Sequence, residues 1–333
     1  MSELRNRSIA FFKTYQPKFS LVFLTPRYWP WWFGFAVLWL MSLLPQSWRA
    51  FLAKRIGWAI YRHHRKRREI VEVNLAWCFP EMDEEQRQAI GESYFRYLVQ
   101  SILDTGVLWW RSNKTVVQYV ELRGEEYLQS ELDKGNRVII VTGHSPGLEK
   151  GGVALSAHYP MSSFTNEAKN PLLEWMAVRK RTRFGGYVFP RSGGFRPVIK
   201  AIRQGYGLYI LADEDLGPES ATFIPFFGIP RATLTTPLRL ARTSRAVIIS
   251  SFTWYDESCS RYVMEFFPVL DGLDTVSDEE ALTMLNQRLE QVIRRHPEQY
   301  MWSLRLFKTM QDGSPPPYYK KNRPGSGPRP RPE

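Results

Sequence analysis

The sequence predicts an α/β domain with a mainly parallel central sheet flanked by helices, preceded by an N-terminal membrane-anchoring helix. Three observations carry this. After Gly124, short β-branched runs alternate with helical patterns, the signature of strands joined by helical crossovers. Near the start lies an uncharged, tryptophan-rich run. Of the 333 residues, 44% are apolar and 23% charged, which supplies a core and excludes disordered, collagen-like and low-complexity classes. Cys78 and Cys259 lie far apart and outside any CxxC pair, which argues against a disulfide framework or a cysteine-rich zinc site and for a reducing compartment.

The uncharged run covers Tyr28–Leu44, 17 residues, the short end of spanning length. Five tryptophans fall between Trp29 and Trp48, suiting a headgroup belt, and Pro26 and Pro30 mark a helix start. The run starts late and lacks a small-residue cleavage site, unlike a signal peptide. A buried core helix is the alternative. Basic residues flank both sides, so charge asymmetry leaves the orientation open.

A helical stretch follows, Trp48–Asn74, with the basic run Arg62-His63-His64-Arg65-Lys66-Arg67-Arg68. Beside an apolar anchor, such a run suits the acidic surface of a cytoplasmic leaflet, although a solvated helix face is the commoner reading. The net charge of +12 and pI near 9.7 also raise nucleic acid as a partner, but the aromatics form an apolar block instead of alternating with the basic residues, so no nucleic acid is expected. His63 and His64 are adjacent and cannot share a helix face as metal ligands. From Met82 to Trp110 the pattern is helical, with Asp83 as N-cap and Ile90, Tyr94, Leu98 and Ile102 as core positions.

Strands are predicted at Arg137–Val141, Tyr187–Phe189, Leu208–Leu211 and Ala246–Ser250, and helices at Pro171–Phe184, Phe195–Gln204 and Thr235–Thr243. From Asp312 onward the Pro-rich, basic tail is expected to be mobile. The expected division is an anchor region at 1–50, an α/β domain at 51–311 and a tail at 312–333.

Ligands of open α/β sheets gather off the carboxyl ends of strands. After the strand at Arg137–Val141 comes Thr142-Gly143-His144-Ser145-Pro146-Gly147-Leu148-Glu149. One reading is a Gly-x-Ser-x-Gly nucleophile elbow with Ser145 as nucleophile. Pro146, however, cannot give the backbone N–H that such an elbow uses for its oxyanion hole. The other reading takes His144 as general base and Glu149 as its orienter. Five positions on one helix lie about 140° apart, so the two meet only if His144 precedes the helix. Ser145 as N-cap with Pro146 at the first helical position would arrange that.

His144-x4-Glu149 resembles the His-x4-Asp/Glu signature of glycerolipid-type acyltransferases. More specifically, the chain is similar to the late acyltransferases of bacterial lipid A biosynthesis, the lauroyl and myristoyl acyltransferase family. The similar blocks are NPLLEWMAVRKRTRFG from Asn170, FPRSGGFRPVIKAIRQG from Phe189, LADEDLG from Leu211, FIPFFGIPRATLTTPLRLA from Phe223 and HPEQYMW from His296, with Phe307-Lys308-Thr309. It departs from the family pattern at Ser145-Pro146-Gly147-Leu148 and at Trp302–Leu306, where His and two arginines are expected, which leaves acceptor identity open.

The resemblance implies an O-acyltransferase of the bacterial inner membrane, its active site facing the cytoplasm. His144, oriented by Glu149, would activate an acceptor hydroxyl to attack the thioester of an acyl-acyl carrier protein donor. The acceptor would be an anionic phosphorylated glycolipid, and no cofactor or metal is implied. Arg191 would hold acceptor phosphate through its guanidinium fork. Arg179 and Arg183, four apart on one helix face, would grip another phosphate or the carrier. Asn170 joins the substrate-binding set, and Asp213 and Asp215 would position the acceptor sugar; a divalent cation at the Asp213-Glu214-Asp215 cluster is conceivable. Phe223, Pro225, Phe226 and Phe227 would line the acyl chain. A lysophospholipid acceptor, a serine hydrolase and a non-catalytic membrane scaffold remain as alternatives.

Overall fold

A seven-stranded sheet organises the chain from Val120 onward; the structure, a computed structural model, describes residues 15–270, 272, 275–318 and 331. The strands are β1 (Val120–Arg123), β2 (Arg137–Thr142), β3 (Met161–Thr165), β4 (Tyr187–Pro190), β5 (Gly207–Leu211), β8 (Ala246–Asp256) and β9 (Arg261–Val269). Their order is β1-β9-β8-β2-β5-β3-β4. All neighbours pair in parallel except β8 with β9, so the sheet is mainly parallel, as predicted. Strands β6 (Ala221–Phe226) and β7 (Ile229–Leu234) form a separate antiparallel hairpin.

Central strand β2 shows why its sequence reads as an unbroken apolar run. Ile139 and Val141 face a cluster with Val198, Ile202, Leu238 and Leu282, while Val138 and Ile140 face another with Leu128, Leu155 and Met264. Alternate side chains enter opposite faces, and both faces are covered by helices. Those helices are α6 (Glu125–Asp133) and α7 (Leu148–His158) on one side, and α9 (Arg196–Arg203), α10 (Thr236–Ser244) and α11 (Asp278–Arg295) on the other. Helix α8 (Pro171–Arg181) follows β3, and its Leu172 and Met176 pack with Val153 of α7.

The segment before β1 is helical: α1 (Trp29–Leu43), α2 (Gln46–His63), α3 (Arg65–Cys78), α4 (Glu84–Trp110) and α5 (Asn113–Gln118). Asp83 caps α4 through a reciprocal capping box with Gln86, as the sequence predicts. The expected single helix Trp48–Asn74 is instead two, broken at His64, so the basic run straddles a bend. Of the core positions predicted on α4, Tyr94 is fully buried but Ile102 is exposed. Steps of four residues gain about 40° each on a 3.6-residue helix, which turns the stripe outward within three steps.

Helix α1 packs on α4 at Gly106, where any Cβ would collide with the Leu38 carbonyl. Only Phe35 and Ser42 of α1 are buried. Its 15 residues rise about 22 Å, short of the roughly 30 Å of a hydrocarbon core. No described helix is long and apolar enough to cross a membrane. The outer face of this layer is nonetheless strongly apolar: Leu21 is 79% exposed, Phe33 71%, and Trp29, Trp48, Phe51 and Trp58 all lie open.

Beneath that face, Arg49 meets Asp104 at 2.7 Å with both side chains buried, and Tyr262 of β9 donates to the other Asp104 oxygen at 2.9 Å. A buried pair of this kind joins the helical layer to the sheet and leaves an uncompensated charge if either partner is removed. The tail begins more firmly held than expected, because the Tyr318 hydroxyl donates to Asn74 Oδ1 at 2.6 Å and accepts from the Phe307 amide at 2.9 Å. Residues 319–330, 332 and 333 of the predicted mobile tail lie outside the described residues.

Candidate active site

Strands β2 and β5 are parallel neighbours in which Thr142 lies opposite Leu211. Two residues beyond each of these, at the carboxyl edge, stand His144 and Asp213. His144 Nδ1 lies 2.6 Å from Asp213 Oδ1, and the His144 amide donates to Asp213 Oδ2 at 2.6 Å. Tyr300 completes the carboxylate's partners, its hydroxyl donating to Oδ2 at 2.9 Å. The Met301 amide donates to the His144 carbonyl at 3.0 Å, holding the turn from behind.

Asp213 is buried, which opposes its charge, but the adjacent imidazole and its hydrogen bonds prevail and hold the carboxyl below its ordinary value. The same pair acts on the ring. Burial favours neutral imidazole, the Asp213 carboxylate outweighs it, and the His144 pKa lies above the ordinary imidazole value. With Nδ1–H donated to Asp213, the lone pair of the neutral ring is at Nε2, which has no hydrogen-bond partner among the described residues.

His144 lines a cavity of about 400 Å³ whose other walls include Leu148, Val153, Phe164, Val188 and Ile210. Glu149 and Arg181 also border it. The expected orienting bond from Glu149 to His144 is not made. Glu149 is bound in bidentate fashion by Arg181, Nε to Oε1 at 2.7 Å and the second terminal nitrogen to Oε2 at 2.9 Å. Burial again opposes the carboxylate, yet Arg181 keeps it below the ordinary range. The reason is the helix start: α7 begins at Leu148 with Gly147 as N-cap, so Ser145 and Pro146 lie before it and Glu149 turns toward α8. Arg181 also donates to Thr165 Oγ1 at 3.0 Å, leaving two guanidinium N–H groups uncommitted among these bonds.

The serine elbow is not formed. Ser145 is buried with its hydroxyl unpartnered among the described residues, and no bond joins it to His144.

The other expected residues divide. Arg191 borders the His144 cavity but is paired with Glu214 at 2.9 Å. Asn170 is spent as the N-cap of α8, accepting from the Leu172 and Leu173 amides. Arg183 lies beyond the end of α8 and therefore does not share a helix face with Arg179; it donates to the Leu108 and Arg111 carbonyls and Asn113. Arg179 is exposed beside the Trp175 ring. Asp215 accepts from the Thr309 amide and hydroxyl and from the Gly217 amide, tying the loop after β5 to the C-terminal segment. Among the described residues no group of three or more His, Cys, Asp or Glu is arranged to hold a metal ion. Phe226 and Phe227 pack with Phe79 and Trp302, and none of Phe223, Pro225, Phe226 and Phe227 lines the cavity.

Sequence reasoning missed Tyr300 and Arg181. Tyr300 lies inside the HPEQYMW block already singled out, and Arg181 stands midway between the two arginines chosen in its place.

Comparisons with known proteins identify the family of the chain. The profile of the family described as bacterial lipid A biosynthesis acyltransferase matches residues 16–309. A lipid A biosynthesis acyltransferase of Haemophilus influenzae is 32% identical over 300 residues, covering 90% of this chain and 94% of its own. The lipid A biosynthesis palmitoleoyltransferase of Escherichia coli is 33% identical, with 90% and 97% covered, and its lauroyltransferase is 30% identical, with 91% and 99% covered. With the match running from the apolar N-terminal layer through the His144 turn to Thr309, the chain belongs to the bacterial lipid A biosynthesis acyltransferase family.

Proposed function

We propose that the protein transfers a fatty acyl chain from acyl carrier protein to a hydroxyl of a lipid A precursor, with His144 as general base. The observation that carries this reading is the His144 ring itself: its Nδ1 is fixed by a buried carboxylate and its Nε2 is left free at an apolar cavity. The acceptor hydroxyl gives its proton to Nε2 as its oxygen attacks the thioester carbonyl. The tetrahedral intermediate then collapses, the carbon–sulfur bond breaks, and the departing thiolate recovers the proton from the imidazolium. The products are an ester and the carrier thiol, with no covalent acyl-enzyme. Asp213 keeps the productive tautomer and steadies the transient imidazolium, with Tyr300 steadying Asp213.

Arg181, fixed by Glu149 and Thr165 at the cavity edge, supplies preorganised positive charge for the oxyanion. Glu149 thus serves catalysis by positioning Arg181. The apolar walls suit the acyl chain, and relatives named for lauroyl and palmitoleoyl transfer are similar to this chain to nearly the same degree, so identity does not select the chain length.

The exposed apolar face of α1 and α2 fits a protein that lies in the membrane interface. A carrier-dependent enzyme meets its donor at the cytoplasmic side, so the inner membrane with the site facing the cytoplasm is the proposed location. The basic surface draws both the acidic carrier and the phosphorylated lipid.

The test offers purified protein in detergent lauroyl- and myristoyl-acyl carrier protein, with a Kdo-bearing lipid A precursor and a lysophospholipid as competing acceptors. Transfer to the lipid A precursor, lost in His144→Ala and retained in Ser145→Ala, is expected. Transfer confined to the lysophospholipid would move the pathway, and equal activity in wild type and His144→Ala would remove the mechanism. Replacing Trp29 and Phe33 by serine is expected to release the protein from sedimenting vesicles.

A further inference from the structure

Three exposed residues of the basic run, His64, Lys66 and Arg67, border a concave site instead of a flat surface. A second cavity, of about 580 Å³, opens on the other side of the loop after β5, and its lining includes His64, Lys66, Arg67, Arg305 and Lys308. Glu214 and Leu216 border both this cavity and the one containing His144, and Asp213 reaches its floor. An anion held here therefore sits one loop away from the catalytic base.

The charges are arranged unusually. Residues 65–68 form the first turn of α3, with no acid among them, where the helix dipole already disfavours cations. Arg65 and Arg68 are relieved by Glu69 and Glu72 one turn on. Among the described residues Lys66 and Arg67 make no ion pair, nor does Lys308 across the cavity. The nearby acids are engaged elsewhere: Asp213 by His144 and Tyr300, Glu214 by Arg191, and Asp215 by Thr309 and Gly217. The two walls are also locked together. Asn74 of α3 donates to both the Trp302 and Leu304 carbonyls at 2.7 Å, so the two segments that carry the cations are held together before any ligand arrives.

We infer that this cavity binds a phosphate group of a substrate, held by Lys66, Arg67 and Lys308, and so orients the reacting atoms at His144. The phosphate belongs to the sugar acceptor or to the phosphopantetheine arm of the donor, two sources with one chemistry. Arg191, already neutralised by Glu214, is not the principal phosphate ligand. This inference rests on the proposed acyl transfer and names the substrate contact that serves it.

The test measures KM for each substrate in wild type, in Lys66→Ala/Arg67→Ala and in Lys308→Ala, with acceptors that carry or lack phosphate. Arg65→Ala, from the same run but paired and outside the cavity, controls for general surface charge. With the acceptor as source, the acceptor KM rises at least about tenfold in the cavity variants, the donor KM stays, and the dephosphorylated acceptor shows no difference between wild type and variants. With the donor as source, only the donor KM rises. Lys308→Arg restores the wild-type value in either case. Unchanged KM for both substrates, or an equal effect of Arg65→Ala, overturns the inference. Equilibrium dialysis with inorganic pyrophosphate is read separately: should wild type transfer no acyl chain, the functional reading fails, and undiminished pyrophosphate binding in Lys66→Ala/Arg67→Ala would overturn the cavity as well.

Discussion

The two cavities that share the Glu214–Leu216 loop are built in opposite ways. The one containing His144 lies at the carboxyl ends of parallel strands, with apolar walls and its charges paired: His144 with Asp213, Glu149 with Arg181, Arg191 with Glu214. The other lies between a helix start and a C-terminal segment, and its lysines and Arg67 have no carboxylate partners among the described residues. Paired charges in a low-dielectric wall fix geometry and protonation state; unpaired ones attract a ligand. Chemistry and capture are thereby separated by a single loop.

The largest effect expected on the catalytic side is from His144→Ala, a fall in kcat of about 10²–10⁴-fold, the usual worth of a positioned base. Ser145→Ala, measured in the same assay, is expected to leave kcat within about twofold, since its hydroxyl contacts nothing in the site. The distinction between the two carboxylates comes next. The active ring is neutral, so activity falls as pH drops through the raised His144 pKa. Asp213→Asn removes the charge that raises it, moves this acid limb to lower pH and lowers kcat by roughly 10²-fold or more. Glu149→Gln weakens the hold on Arg181 and reduces kcat, but leaves the acid limb where it was. A pH–rate profile in which Glu149→Gln moves the limb and Asp213→Asn does not would reverse the assignment made here.

Smaller effects sharpen the contrast between the cavities. Val188→Trp narrows the apolar cavity and is expected to shift preference toward shorter acyl donors by about tenfold, read as a ratio of kcat/KM. Raising salt from about 0.05 to 0.5 M should raise the KM of the phosphorylated substrate severalfold while leaving the acyl-length preference unchanged.

Much of the fold was legible because β2, β4, β5 and β8 are apolar or β-branched runs of the right length, separated by helical patterns. Strand β3, Met-Ser-Ser-Phe-Thr, was not, because its serines serve local contacts: Ser162 donates to the Gly207 carbonyl at 3.0 Å. The hairpin β6–β7 hid within a block noted only for its aromatics, and β9 within a polar-flanked segment. His144 was legible from its place after a strand. Its partner was not, although Asp213 had been singled out for another duty, because 69 residues separate the two.

By itself, then, the sequence determined the composition of the elements, the helix caps that local side chains can satisfy, and the loop in which the base resides, since these depend on neighbours within a few positions. Only the tertiary structure decided which carboxylate serves His144, that Glu149 belongs to Arg181, and that part of a basic run borders a second cavity beside the loop after β5. The physical reason is strand order. Nothing local dictates that β5 lies beside β2 in parallel with Thr142 opposite Leu211, yet that register alone sets His144 against Asp213.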